Sequence, residues 1–183
     1  MNQKRPLALV PQSARDLLSL GAGAKSVLSS MVEETFAPAR RKHSKTLKIV
    51  IVDEYEGSRT YYKLLISDWC KNVTILSFEN PFDAMEELYF GEEPHLLITD
   101  ILLNHMDGIG LIASLAKLRD CARRRIEYPI FVISAFWTQG IEARIKDFTR
   151  AHLNVTYLPK PIDIPTFRNA LERQLNILRK KQE

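Results

Sequence analysis

The sequence predicts an α/β domain with a parallel sheet covered by helices on both faces. Three observations predict it. Short apolar runs of strand length alternate with segments of helical spacing along most of the chain. The runs are nearly continuous in Val, Ile and Leu, as strands buried on both faces are. Acidic, hydroxyl and lysine side chains stand directly after several of these runs, where open parallel sheets bind ligands.

The elements follow in order. Leu47–Val52 is the first strand. Val73–Phe78, Leu96–Thr99, Ile130–Ser134 and Val155–Leu158 are four more. Between them the spacing predicts helices over Ser58–Cys70, Phe82–Phe90, Ile109–Ala122 and Ile141–His152, and a fifth over Ile164–Lys180 closes the chain. Pro81 and Pro165 suit first turns, where a missing N–H costs nothing.

Residues 1–46 read differently. Pro6 and Pro11 bracket the opening, and Pro38 with the run Arg40-Arg41-Lys42-His43-Ser44-Lys45 forms a linker. Between them Leu17, Leu20, Ala24, Val27, Leu28 and Met31 recur at helical spacing, and Ser13 can cap that helix. The expected organisation is therefore a basic N-terminal extension over 1–46 and a globular domain over 47–183.

The 183 residues are 45% hydrophobic and 26% charged, so a core is available. No apolar run reaches the length of a membrane span. Cys70 and Cys121 are too few for a disulfide framework and suit a reducing compartment, so a cytoplasmic location is expected. The net charge of +4 belongs to the extension. Residues 1–46 hold eight Lys/Arg and three acids, leaving 18 and 19 in the remainder. A +5 segment with Phe36 as its only aromatic argues against nucleic acid as the partner. Its apolar stripe favours a docking or dimerising helix, so a homodimer is one expectation.

The strand ends carry the chemistry. The first strand ends in Asp53-Glu54, the third in Asp100, the fourth in Ser134-Ala135, and the fifth runs into Pro159-Lys160-Pro161. Carboxylates gathered at one edge repel each other and suit a hard divalent cation such as Mg²⁺. An aspartate beside that ion can act as nucleophile towards a phosphoryl donor, while a lysine and a hydroxyl offset charge on the phosphoryl oxygens. Singly, each residue has a plainer role: cap, turn residue or surface lysine.

Together, Ile49-Val50-Ile51-Val52-Asp53-Glu54, Leu97-Ile98-Thr99-Asp100, Met106-Asp107-Gly108, Val132-Ile133-Ser134-Ala135 and Tyr157-Leu158-Pro159-Lys160-Pro161 resemble the receiver domain of bacterial two-component response regulators. The resemblance covers residues 47–180. It implies a flavodoxin-like (βα)5 doubly wound fold with strand order 2-1-3-4-5. It implies Asp100 as phosphoacceptor, and Asp53, Glu54, Asp100 and the Leu102 backbone carbonyl as Mg²⁺ ligands. It further implies Ser134 and Lys160 as phosphoryl-contacting groups, Tyr157 as aromatic switch, and a cis bond between Lys160 and Pro161. The partners implied are a histidine kinase or phosphotransfer protein, docked in part on the first helix, and a downstream protein. The surface of the fourth helix, fifth strand and fifth helix is the implied output face. The only catalysis implied is the domain's own phosphoryl transfer and dephosphorylation.

The chain departs from the family pattern in five places. Glu54 stands where an Asp is usual, Asn104 where a proline is usual, and Arg123-Arg124-Arg125 form a basic insert. Leu102 and Phe136 occupy two often polar positions flanking the acceptor, which predicts slowed attack by water and a long-lived phosphoryl state. Three rival readings stand beside a stand-alone response regulator. One is a phosphorylation-independent pseudo-receiver adaptor, supported by Glu54 and Asn104. Another is a related hydrolase with an aspartyl-phosphate intermediate. The last is nucleic-acid contact through the basic arm.

Overall fold

The computed structural model describes residues 46–121 and 126–180. Residues 1–45 of the extension expected over 1–46 and the insert Arg123-Arg124-Arg125 lie outside the described residues. Five strands, β1 (Leu47–Val52), β2 (Val73–Phe78), β3 (Leu96–Thr99), β4 (Ile130–Ser134) and β5 (Val155–Pro159), alternate with five helices. These are α1 (Glu56–Trp69), α2 (Pro81–Phe90), α3 (Gly108–Cys121), α4 (Gln139–Arg150) and α5 (Ile164–Lys180). Every strand pairs in parallel, in the order β2-β1-β3-β4-β5. The expected architecture and strand order are observed.

Alternation along the strands divides the core. Val50 and Val52 of β1, Leu97 of β3 and Val132 of β4 turn to one face, where Met85 and Leu88 of α2 and Leu111, Ile112 and Leu115 of α3 pack on them. Ile49, Ile51, Ile98, Phe131 and Ile133 turn to the other, against Tyr62 and Ile66 of α1 and Phe167 and Leu171 of α5. Because the side-chain period is two, a slip of one residue would exchange the two faces, so the register is firmly specified. At roughly 1.5–3 kcal/mol per large buried side chain, these two layers dominate the stability.

Helix starts follow local chemistry. Asn80 Oδ1 accepts from the Phe82 N–H (2.9 Å) ahead of Pro81, and Thr138 Oγ1 accepts from the Ile141 N–H (3.3 Å). Asp163 Oδ2 accepts from the Thr166 N–H (2.9 Å) at the start of α5. α1 begins two residues before the predicted Ser58, with no side-chain cap. α4 also begins two residues early. It buries none of its residues completely; Ile141, Ile145 and Phe148 are half-buried against the α2/α3 layer. Among the described residues no helix is long and apolar enough to cross a membrane.

A second polar node lies at the opposite edge of the sheet, where β1 begins. Lys48 is almost fully buried. Its Nζ donates to Glu87 Oε1 (2.6 Å) and to the Glu92 carbonyl. Its backbone N–H donates to His95 Nδ1 (3.0 Å), and its carbonyl accepts from the His95 N–H (2.7 Å).

Candidate functional site

The sheet delivers the site residues to its C-terminal edge. Backbone ladders carry on one residue past the strands: the Asp53 N–H donates to the Phe78 carbonyl (3.2 Å) and the Asp100 N–H to the Val52 carbonyl (2.9 Å). Asp53 and Asp100 are therefore placed side by side by neighbouring strands, and both are buried. Lys160 arrives from β5. Its N–H donates to the Ser134 carbonyl (3.0 Å), and the Lys160–Pro161 bond is cis.

Lys160 Nζ donates to Asp53 Oδ2 (2.8 Å) and to Asp100 Oδ2. One ammonium thus serves two carboxylates. The other oxygens are held by backbone amides: Asp53 Oδ1 accepts from the Tyr55 N–H (2.9 Å), and Asp100 Oδ1 accepts from the N–H groups of Ile101 (2.5 Å) and Leu102 (3.1 Å). Burial alone would pull the Lys160 ammonium down, but its bonds to Asp100 and Asp53 outweigh that and hold its pKa above the ordinary lysine range. Tyr62 on α1, buried beside this node, has its phenol pushed up to about 12 by burial, with Lys160 opposing and Asp53 and Asp100 reinforcing the shift.

The donor set fits a hard divalent cation. Two buried carboxylates against one ammonium leave a net charge of −1, and Mg²⁺ sites typically use one or two carboxylates plus waters. The predicted ligand Glu54 stands apart from this pair. It is exposed, and among the described residues no three His, Cys, Asp or Glu side chains come together as a metal group. Arg59 Nη1 holds the backbone here, donating to the carbonyls of Asp53 (2.6 Å) and Glu54 (2.9 Å). Arg59 carries no sequence signal of its own beyond its place one turn into α1.

Ser134, fully buried at the end of β4, accepts at Oγ from the Phe136 N–H (3.2 Å). Tyr157 on β5 donates its hydroxyl to the Ser134 carbonyl (2.8 Å), and its ring lies 4.0 Å from that of Trp137, centroid to centroid. Desolvation, and then the charge of Asp100, push the Tyr157 phenol upward. Leu102 and Phe136 are about half exposed, on the loops after β3 and β4. Gly108 explains the Met106-Asp107-Gly108 triplet. α3 starts so close to the end of β3 that a Cβ at Gly108 would run into the Asp100 carbonyl oxygen, and the Gly108 N–H donates to the Ile101 carbonyl (2.9 Å). Asp107 Oδ1 caps the helix at the Gly110 N–H.

No protein-family model matches the chain, and no curated protein matches it. Solved structures do. A CheY-like response regulator receiver domain protein from Methanospirillum hungatei superposes with a TM-score of 0.61 at 16% identity, covering 75% of this chain and 99% of that one. The N-terminal domain of an uncharacterized protein from Wolinella succinogenes gives 0.60 at 24% identity, over 74% and 99%. The signal receiver domain of a putative Luxo repressor protein from Vibrio parahaemolyticus gives 0.59 at 16%, over 75% and 95%. Strand order, helix placement and these superpositions agree: the described chain has the fold of CheY-like response regulator receiver domains.

Proposed function

We propose that this protein is a response regulator that accepts a phosphoryl group on Asp100 and signals by binding another protein. One observation carries the reading: two buried carboxylates from adjacent strands share the Lys160 ammonium, with the Ser134 hydroxyl at the next strand end. Asp100 Oδ1 is tied down by two backbone amides, whereas Oδ2 is held only by the Lys160 side chain, which can turn to the incoming phosphoryl group, so Oδ2 is the attacking oxygen. Its attack on a phosphohistidine of a histidine kinase or phosphotransfer protein forms a carboxyl O–P bond as the N–P bond breaks. The electron pair stays on the imidazole nitrogen, which takes a proton from water.

Asp53, Asp100 and the Leu102 backbone carbonyl are the groups that would hold Mg²⁺, with Glu54 at the rim. When bound, the ion offsets negative charge on the transferring phosphoryl group. Lys160 supplies a second positive charge, and the Ser134 hydroxyl a hydrogen bond once Oγ turns away from the Phe136 N–H. The added charge of about −1.5 to −2 biases the loop after β4, which touches Tyr157 through Trp137.

The test is intact-protein mass after incubation with a small phosphodonor and Mg²⁺. A gain of one phosphoryl group in the wild type and none in Asp100→Ala is the expected result. The exposed position of Glu54 favours a second reading, a pseudo-receiver adaptor. It prevails if neither protein gains mass from the small donor or from a phosphorylated kinase while both stay folded.

A further inference from the structure

Trp137 is not among the receiver residues that the sequence pattern singles out, yet its ring lies against that of Tyr157. Its indole sits 4.0 Å from the Tyr157 ring at an interplanar angle of 41°. Trp137 is 41% exposed, so this contact, rather than burial in a core, fixes its position. The loop that carries it, between β4 and α4, is fastened at its other end by the Phe136 N–H bond to Ser134 Oγ (3.2 Å). Tyr157 is in turn fastened to the same residue, through its hydroxyl and the Ser134 carbonyl (2.8 Å). Ser134 therefore holds both partners of the ring pair, one by its side chain and one by its backbone.

The geometry points to Trp137 as a positioning residue: its indole pins the Tyr157 ring, and the Ser134 hydroxyl keeps the indole in place through Phe136. The closed circuit is Ser134 Oγ, Phe136 N–H, Trp137, Tyr157, Ser134 carbonyl. A hydroxyl that leaves the Phe136 N–H for any other partner opens the circuit at one link, and the indole loses its fixed seat. The linkage exists in the resting protein. Only the identity of the trigger, a phosphoryl group on Asp100, rests on the proposed function.

The experiment uses the full chain in a Trp69→Phe background, so that Trp137 is the only indole. Acrylamide quenching and emission maximum report its seating, with circular dichroism as the check on folding. Ser134→Ala removes the hydroxyl. It is expected to raise the quenching constant by about two- to fivefold, the size that one lost hydrogen bond gives a two-state loop. Ser134→Thr restores a hydroxyl and is expected to return the wild-type value. Tyr157→Phe keeps the ring and removes the bond to the Ser134 carbonyl, and is expected to give a smaller rise. Unchanged quenching in folded Ser134→Ala, or no rescue by Ser134→Thr, overturns the linkage. If Ser134→Ala does not fold, Tyr157→Phe decides, and an unchanged value there overturns it equally.

The trigger is tested separately by adding beryllofluoride with Mg²⁺ and following adduct formation by fluorine NMR. A rise in Trp137 quenching that tracks the adduct supports the trigger. An adduct without that rise overturns the trigger, and absence of an adduct counts against the phosphoacceptor reading rather than the linkage.

Discussion

The molecule holds two lysine–carboxylate nodes at opposite edges of one sheet, and they differ in whether their charges balance. At the edge where β1 begins, Lys48 meets one carboxylate, Glu87, and one carbonyl, while His95 satisfies its backbone on both sides. That node is neutral and closed. At the edge where the strands end, Lys160 faces two carboxylates, Asp53 and Asp100, and the pair of acids outweighs it. Buried charge without an equal partner is costly, so an imbalance kept inside a fold marks a place completed from outside. The closed node ties α2 to the sheet; the open one is where chemistry is expected.

Removing the proposed nucleophile tests the open node most severely: Asp100→Asn is expected to abolish phosphoryl labelling, read by intact mass. Paired neutralisations then sharpen the contrast. Asp53→Asn leaves Lys160 and Asp100 balanced, so stability is expected to hold or rise while Mg²⁺-dependent labelling falls. Glu87→Gln strands Lys48, so stability is expected to fall by about 1–3 kcal/mol in urea denaturation, with labelling unchanged. The opposite pattern would remove the distinction between the nodes.

Alkali addresses the open node from another side. Lys160 and Tyr62 both bind their protons more tightly folded than unfolded, since both pKa values are raised, Tyr62 to about 12. Their contribution is fully present below about pH 10 and is lost as pH rises through the folded values. Denaturation midpoints are therefore expected to fall above about pH 10, and less steeply in Tyr62→Phe. The smallest expected effect concerns the rim. Leu102→Asn with Phe136→Glu admits water beside Asp100 and is expected to shorten the phosphoryl half-life by roughly two- to tenfold, about 1 kcal/mol of barrier. A half-life that is unchanged or longer would show that Leu102 and Phe136 do not shield the acceptor.

The two nodes were not equally legible in the sequence. Strands show as apolar runs and helices as periodic ones, and Pro81 marked the start of α2 within a residue. Asp53, Asp100, Ser134 and Lys160 could be read as a group because a parallel sheet sends all its strand ends to one edge. The Lys48 node has no such rule behind it. Its partners lie 39 to 47 residues away, in a helix end and a loop, and Lys48 itself reads as one polar interruption in a strand. The Arg59 clamp and the Trp137–Tyr157 contact are likewise pairings made by loops, which carry no periodicity. The family resemblance pairs Glu54 with Asp53; in the fold Asp53 is buried and Glu54 is exposed, a difference in placement that adjacency in the sequence does not reveal.

α4 buries no residue completely. Most core side chains here could not leave without opening a void, at a cost that grows with its volume. Ile141, Ile145 and Phe148 already border water, so sliding or tilting α4 exchanges partial contacts and empties nothing. The helix that follows the Trp137 loop is thus the one the rest of the fold would least resist moving, much as a hinged panel differs from a wall.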